Sequence, residues 1–166
     1  MKIITYIKKL LPKTTIESGE AFFWSPKHDK ITYKASTIDQ PIGQWSILHE
    51  TAHSLLGHLE YSSDLELLQL EVDAWDKAKD LARDIDIKID ENHIQDCLDT
   101  YRDWLHRRST CPKCSVVCIQ VTTTLYKCHN CYTSWNVSAS RFCRPYRLQT
   151  GHKQQEKPKS LTPTFS

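Results

Sequence analysis

Ile47-Leu48-His49-Glu50-Thr51-Ala52-His53-Ser54-Leu55-Leu56-Gly57-His58 is the stretch from which the rest of the chain is read. It contains His-Glu-x-x-His at 49–53, and on a helix two histidines four residues apart stand one above the other. Two imidazoles so placed can reach one zinc ion, and Glu50 between them can reach a water on that ion. With Trp45 at zero, Leu48, Ala52, Leu55, Leu56 and Leu59 fall between about 280° and 20° on a helical wheel. His49 and His53 fall at about 40° and 80°, and Glu50 at about 140°. The pair thus sits on the shoulder of the apolar stripe, where a catalytic metal needs to be. The plain alternative is an amphipathic helix with two chance histidines, since a five-residue pattern recurs by accident.

A second helix supplies the missing ligand. Residues 64–84 read as one amphipathic helix, N-capped by Ser63. With Leu65 at zero, Glu66, Asp73, Asp76, Asp80 and Asp84 gather between about 20° and 100°. Leu67, Leu68, Leu70, Ala74, Trp75, Ala78, Leu81 and Ala82 cover about 140° to 300°, and Glu71 lands among them at about 240°. A carboxylate on an apolar face is costly unless compensated, and a metal ion is the strongest compensation available. A buried ion pair is the alternative. Glu71 is the favoured third ligand beside His49 and His53. His58, at about 220° on the first helix, reaches that side only if the helix breaks at Gly57.

Composition divides the chain in two. Residues 1–103 hold 12 Lys/Arg against 19 Asp/Glu, a net −7, whereas residues 104–166 hold 10 Lys/Arg against Glu156 alone, a net +9. A basic second half suits an anionic partner such as nucleic acid, or is simply a solvated tail. Seven cysteines, an odd number with four in metal-type pairs, argue against a closed disulfide framework and for a reducing compartment. The start of the chain lacks a continuous apolar stretch with a cleavage site. No segment is apolar for long enough to span a membrane, and the expected location is the cytoplasm.

In chain order, Ile3, Ile4, Ile7, Leu10 and Leu11 make one face of a short helix ended by Pro12. Residues 21–24 and 30–34 read as strands of a hairpin, whose edge can hold an extended peptide. A further helix starts at the cap Asp90 and runs to Arg107-Arg108, cations suited to a helix C-terminus. Then Cys111-Pro112-Lys113-Cys114 and Cys128-His129-Asn130-Cys131 form two Cys-x-x-Cys turns separated by 13 residues. Four thiolates at this spacing make a closed tetrahedral zinc site, structural in kind because no position stays open. Residues 116–121, 124–126 and 133–137 read as its strands. Cys97, Cys118 and Cys143 read as small buried hydrophobes. Residues 150–166 are polar and read as disordered.

His49-Glu50-Thr51-Ala52-His53 with Leu55-Leu56-Gly57-His58, then Glu71-Val72-Asp73-Ala74-Trp75, resembles the ImmA/IrrE family of zinc metallopeptidases. The family's pattern is His-Glu-x-x-His followed by a helix carrying Glu-Ala-Asn/Asp-x-Phe/Trp-Ala. Here Val72 replaces the usual alanine and Asp76 stands where a second alanine is common. The resemblance covers roughly residues 20–85. It implies a zincin-like α+β fold, His49, His53 and Glu71 as ligands of a catalytic zinc, and Glu50 as general base. It also implies a protein substrate, with a DNA-binding repressor as the candidate. The four-cysteine ribbon is not that family's standard appendage. It resembles instead the SprT-like proteases acting on DNA-bound protein, but their third ligand, a later histidine in His-Gly-x-x-Trp, is missing here.

The expectation is therefore an α+β chain in three parts. Residues 1–108 form a zincin-like metallopeptidase domain of a short β-hairpin or sheet plus three helices. Residues 109–147 form a zinc ribbon, and 148–166 a basic, disordered tail. Two zinc ions are expected, one catalytic and one structural. The rival is a zinc-stabilised adaptor with a vestigial site, in which Arg107, Arg108, Lys113, Lys127, Arg141, Arg144 and Arg147, interleaved with Tyr126, Tyr132, Trp135 and Tyr146, track phosphates and stack bases. An intact Glu50 argues against it, since a structural zinc needs no base. The oxyanion-stabilising group is open among His58, His93 and a tyrosine.

Overall fold

The computed structural model describes residues 2–138 and, for the backbone, residues 147–149. The chain is α+β and divides into two compact units, Met1–Arg107 and Arg108–Ser166. In the first unit, helix α1 (Lys2–Leu10) is followed by strands β1 (Thr15–Ser18), β2 (Phe23–Ser25) and β3 (Lys30–Tyr33), then by helices α2 (Pro41–Leu56), α3 (Asp64–Asp84) and α4 (Glu91–Ser109). The four helices of this unit are the three expected in the domain and the short N-terminal helix read separately from Ile3 to Leu11. The face predicted for α1 is the buried one, with Ile3, Ile4 and Ile7 in the same core as Ile31, Leu48 and Trp75. Burying a side chain of that size contributes roughly 2 kcal/mol, enough to hold a nine-residue helix that would be marginal alone.

The sheet runs β1-β3-β2, with β1 parallel and β2 antiparallel to β3. The predicted hairpin is present as β2 and β3, joined by a 3₁₀ turn over Pro26–His28 that ends on Asp29 at φ 44°. β1 was not predicted. Its sequence, Thr-Ile-Glu-Ser, has one apolar residue and mostly exposed side chains, so it carries almost no alternation. It is strand because β3 offers a parallel edge, from Thr15 against Lys30 to Ser18 against Tyr33. β2 is the opposite edge.

α2 begins on Pro41, whose missing N–H costs nothing at a helix start. Gly43 lies against the preceding loop so closely that a Cβ there would sit 2.0 Å from the Thr37 carbonyl oxygen. The helix ends on Gly57, at φ 67°. Gly57 N–H donates to Ser54 O (3.2 Å) and His58 N–H to His53 O (3.1 Å), the paired bonds of a Schellman cap. The apolar stripe of α2 therefore stops early, and Leu56 and Leu59, counted on it from the sequence, are exposed. α3 starts as predicted on Ser63, whose hydroxyl accepts from Glu66 N–H at 3.1 Å. α4 starts after Asp90, whose carboxylate accepts from Asn92 N–H.

In the second unit, β4 (Leu125–Lys127), β5 (Ser134–Val137) and β6 (Arg147–Gln149) form an antiparallel sheet in that order. Residues 116–121 are not a strand. They make only two isolated bridges, Thr110 to Val117 and Gln120 to Tyr126. Val117, Ile119 and Val121 face solvent, so the alternation that suggested a strand buries only Cys118 here. β6 takes in Leu148 and Gln149, which the sequence assigns to the tail; pairing with β5 decides this, not local propensity. The remaining tail, Cys143 and Tyr146 lie outside the described residues.

Candidate metal centres

The second unit builds its centre from two turns. Cys111–Cys114 and Cys128–Cys131 each fold so that backbone N–H groups point at sulfur. Lys113 N–H reaches Cys111 Sγ, and the Asn130 and Cys131 N–H groups reach Cys128 Sγ, each at 3.4 Å. Such bonds favour the thiolate, and the Cys131 and Asn130 amides draw the Cys128 thiol down, while burial pushes the Cys111 thiol up. The four sulfurs converge, and each could give one ligand atom to a common metal ion, a set compatible with zinc. Cys111 Sγ lies 3.6 Å from Cys131 Sγ, and Cys114 Sγ 3.4 Å from Cys128 Sγ. A tetrahedron with metal–sulfur bonds of 2.3 Å has edges of about 3.8 Å. The fit is close.

Around this cluster Tyr126 and Trp135 stack at 5.5 Å, both fully buried, and Trp135 Nε1 donates to Arg108 O. Arg108 is itself buried and donates to Ser138 O. Three members of the surface proposed from the sequence for nucleic acid thus form the interior of the unit. They were chosen by residue type, which does not say which way a side chain faces. Lys113, Lys127 and Tyr132 are exposed. Arg141 and Arg144 lie outside the described residues, as does the Arg147 side chain.

The first unit brings together the three residues read from the two wheels. α2 carries His49 and His53, α3 carries Glu71, and the two helices pack face to face so that the donor atoms meet. His49 Nε2 is 3.1 Å from His53 Nε2 and 3.2 Å from Glu71 Oε2, and His53 Nε2 is 3.6 Å from Glu71 Oε1. For metal–nitrogen bonds near 2.05 Å a tetrahedral edge is about 3.3 Å, so these donors are spaced as ligands of one ion would be. Two neutral imidazole nitrogens facing each other also repel unless a cation or proton lies between them. Glu71 is 7% exposed. Burial alone would push its carboxyl up, but the hydrogen bonds and charges of His49 and His53 hold it well below the ordinary carboxylate range. The other acids of α3 past its first turn, Glu66 having an exposed capping role, face solvent.

Glu50 is not in that cluster. Its Oε2 accepts from the Trp24 backbone N–H at 2.7 Å. Trp24 pairs with Ile31 across the sheet, and this N–H points instead off the open edge of β2 toward α2. One carboxylate oxygen is thereby fixed by the backbone. No residue pattern could have announced a backbone donor.

His58 is the other surprise. The helix does break at Gly57, yet His58 does not join the ligand set. Its Nδ1 lies 2.9 Å from His53 Nδ1, on the side of that ring turned away from Glu71. His49 has a different neighbour: the Trp75 indole stacks on its ring at 4.2 Å and 27°, and Trp75 in turn meets His93 edge-on. Trp75 stands four residues after Glu71, which was the available signal for that contact.

Compared with family models, with curated proteins and with solved structures, the chain has no match in any of the three. The reading of the site therefore rests on its own residues. Among the described residues no helix is long and apolar enough to cross a membrane.

Proposed function

We propose that the chain is a zinc-dependent metallo-endopeptidase with a zincin-like first unit, resembling the ImmA/IrrE enzymes, and a zinc ribbon as its second unit. The observation that carries this reading is the division of labour on α2. His49 and His53 meet Glu71 at ligand spacing, while Glu50, one residue along, is held outside the set with a carboxylate oxygen to spare. A purely structural centre gains nothing from that arrangement.

A zinc ion held by His49, His53 and Glu71 would supply an electrophile for water and for the scissile carbonyl. Glu50 takes the proton of the attacking water and passes it to the leaving amine. The Trp24 N–H keeps the Glu50 carboxylate oriented through both transfers. The open edge of β2, with its backbone turned toward Glu50, is where an extended segment of substrate adds as a further strand. The net −7 over residues 1–103 suits a basic protein, and a DNA-binding repressor is the candidate. Exposed Lys113, Lys127 and Tyr132 leave the ribbon a smaller nucleic-acid surface than the sequence suggested.

The test is a proteome-derived peptide library read by mass spectrometry. Zinc-loaded wild type should create new termini that Glu50→Gln does not; chelation should abolish them in the wild type and added zinc restore them. If the wild type, carrying two zinc equivalents, makes no more termini than Glu50→Gln, the peptidase reading is wrong.

A further inference from the structure

We propose that His58 is a positioning residue for the His49/His53/Glu71 centre: it accepts the His53 Nδ1 proton and so fixes the tautomer and ring orientation of that ligand. The inference rests on the metal reading above and extends it to the shell behind the ligands.

Two hydrogen bonds tie His58 to His53. The Schellman cap sends His58 N–H to His53 O at 3.1 Å, and the side chains meet Nδ1 to Nδ1 at 2.9 Å. Gly57, at φ 67°, makes the reversal of direction cheap, and without it His58 would continue around the helix on a face away from His53. His53 Nε2 faces His49 Nε2 and Glu71, so the lone pair used for a metal is on Nε2 and the proton is on Nδ1. Across 2.9 Å His58 Nδ1 must then be the acceptor, which leaves the His58 proton on Nε2. Ligating histidines ordinarily donate their second N–H to a carbonyl or carboxylate; here a second imidazole takes that part. Among the described residues the buried His49 Nδ1 has no such acceptor, and this ring is held by the Trp75 stack instead. The two ligands are thus oriented by different means, and only His53 depends on His58.

The experiment measures zinc binding by chelator competition on the full chain, with the four-cysteine site as internal reference. His58→Asn places an oxygen acceptor where Nδ1 lies, whereas His58→Gln places its oxygen nearer Nε2 and His58→Leu has none. His58→Asn should bind zinc at the His49/His53/Glu71 centre within about threefold of the wild type. His58→Gln and His58→Leu should lose about 10- to 100-fold, with the second site unchanged. Independently of any variant, two-bond ¹H–¹⁵N correlations on the zinc-loaded wild type should show His53 protonated at Nδ1 and His58 at Nε2. Equal affinities for all three variants, or a His58 protonated at Nδ1, would overturn the proposal. A wild type whose only zinc is the one lost in Cys111→Ser/Cys114→Ser would instead overturn the metal reading on which it stands.

Discussion

Glu71 and Glu50 carry the reading at the scale of single residues, and each has a substitution that isolates it. Glu71→Gln should weaken zinc at the first-unit centre strongly, whereas Asp73→Asn and Glu66→Gln, on exposed positions of the same helix, should leave it within about twofold. Were Glu71 merely a buried ion-pair member, Glu71→Gln would lower thermal stability while the folded protein kept its zinc. Metal titration and melting on the same three proteins separate the cases. Glu50→Gln is nearly isosteric and still accepts from Trp24 N–H, so it should keep fold and zinc and lose proteolysis by at least 100-fold in kcat. These residues were legible because wheel positions survive folding: Glu71 stayed on the apolar face. The Trp24 amide and the His58 contact were not. A backbone donor has no letter of its own, and the wheel for His58 assumed a helix that Gly57 ends.

At the scale of elements, the glycines and one tyrosine set the testable margins. Gly57→Ala meets no neighbouring atom, so its cost is the left-handed backbone alone, about 1 kcal/mol in chemical denaturation. Gly43→Ala drives a methyl into the Thr37 carbonyl and should cost more, about 1–3 kcal/mol, by prising the preceding loop off the start of α2. The order of the two is the prediction. Tyr6 on α1 donates to Asp84 on α3 at 2.9 Å, and burial with that carboxylate holds its hydroxyl up at about 12, above the ordinary 10.0. A raised pKa stabilises while the group is protonated, so this contribution is complete below pH 10 and fades as pH climbs toward 12. Tyr6→Phe should therefore be less stable than wild type at pH 8, the gap closing by pH 12; a gap constant across that range would sink the assignment. Helices were readable from caps and stripes, as Ser63 and Asp90 show. β1 and the 116–121 segment were not, because pairing with a neighbour, absent for one and present for the other, overrode four-residue patterns.

The molecule as a whole offers two donor sets of opposite character. Cys111, Cys114, Cys128 and Cys131 could close a tetrahedron around one ion, whereas His49, His53 and Glu71 could supply three ligands and would leave a fourth position. Purified protein should hold two zinc equivalents, and mild chelation should remove the first-unit metal well before the thiolate-bound one. In Cys111→Ser/Cys114→Ser the stoichiometry should fall to one and the survivor should be the labile kind. One equivalent in the wild type, unchanged in that variant, would remove the ribbon claim. The bond from Trp24 to Glu50 has a bearing on solubility too. An open sheet edge is a template for association between copies, and here a carboxylate covers an outward N–H of that edge. The side chain proposed as the general base thus leaves strand β2 one free N–H fewer with which to recruit another copy. Glu50→Ala, which bares the amide, should scatter light on storage sooner than Glu50→Gln, which keeps it covered.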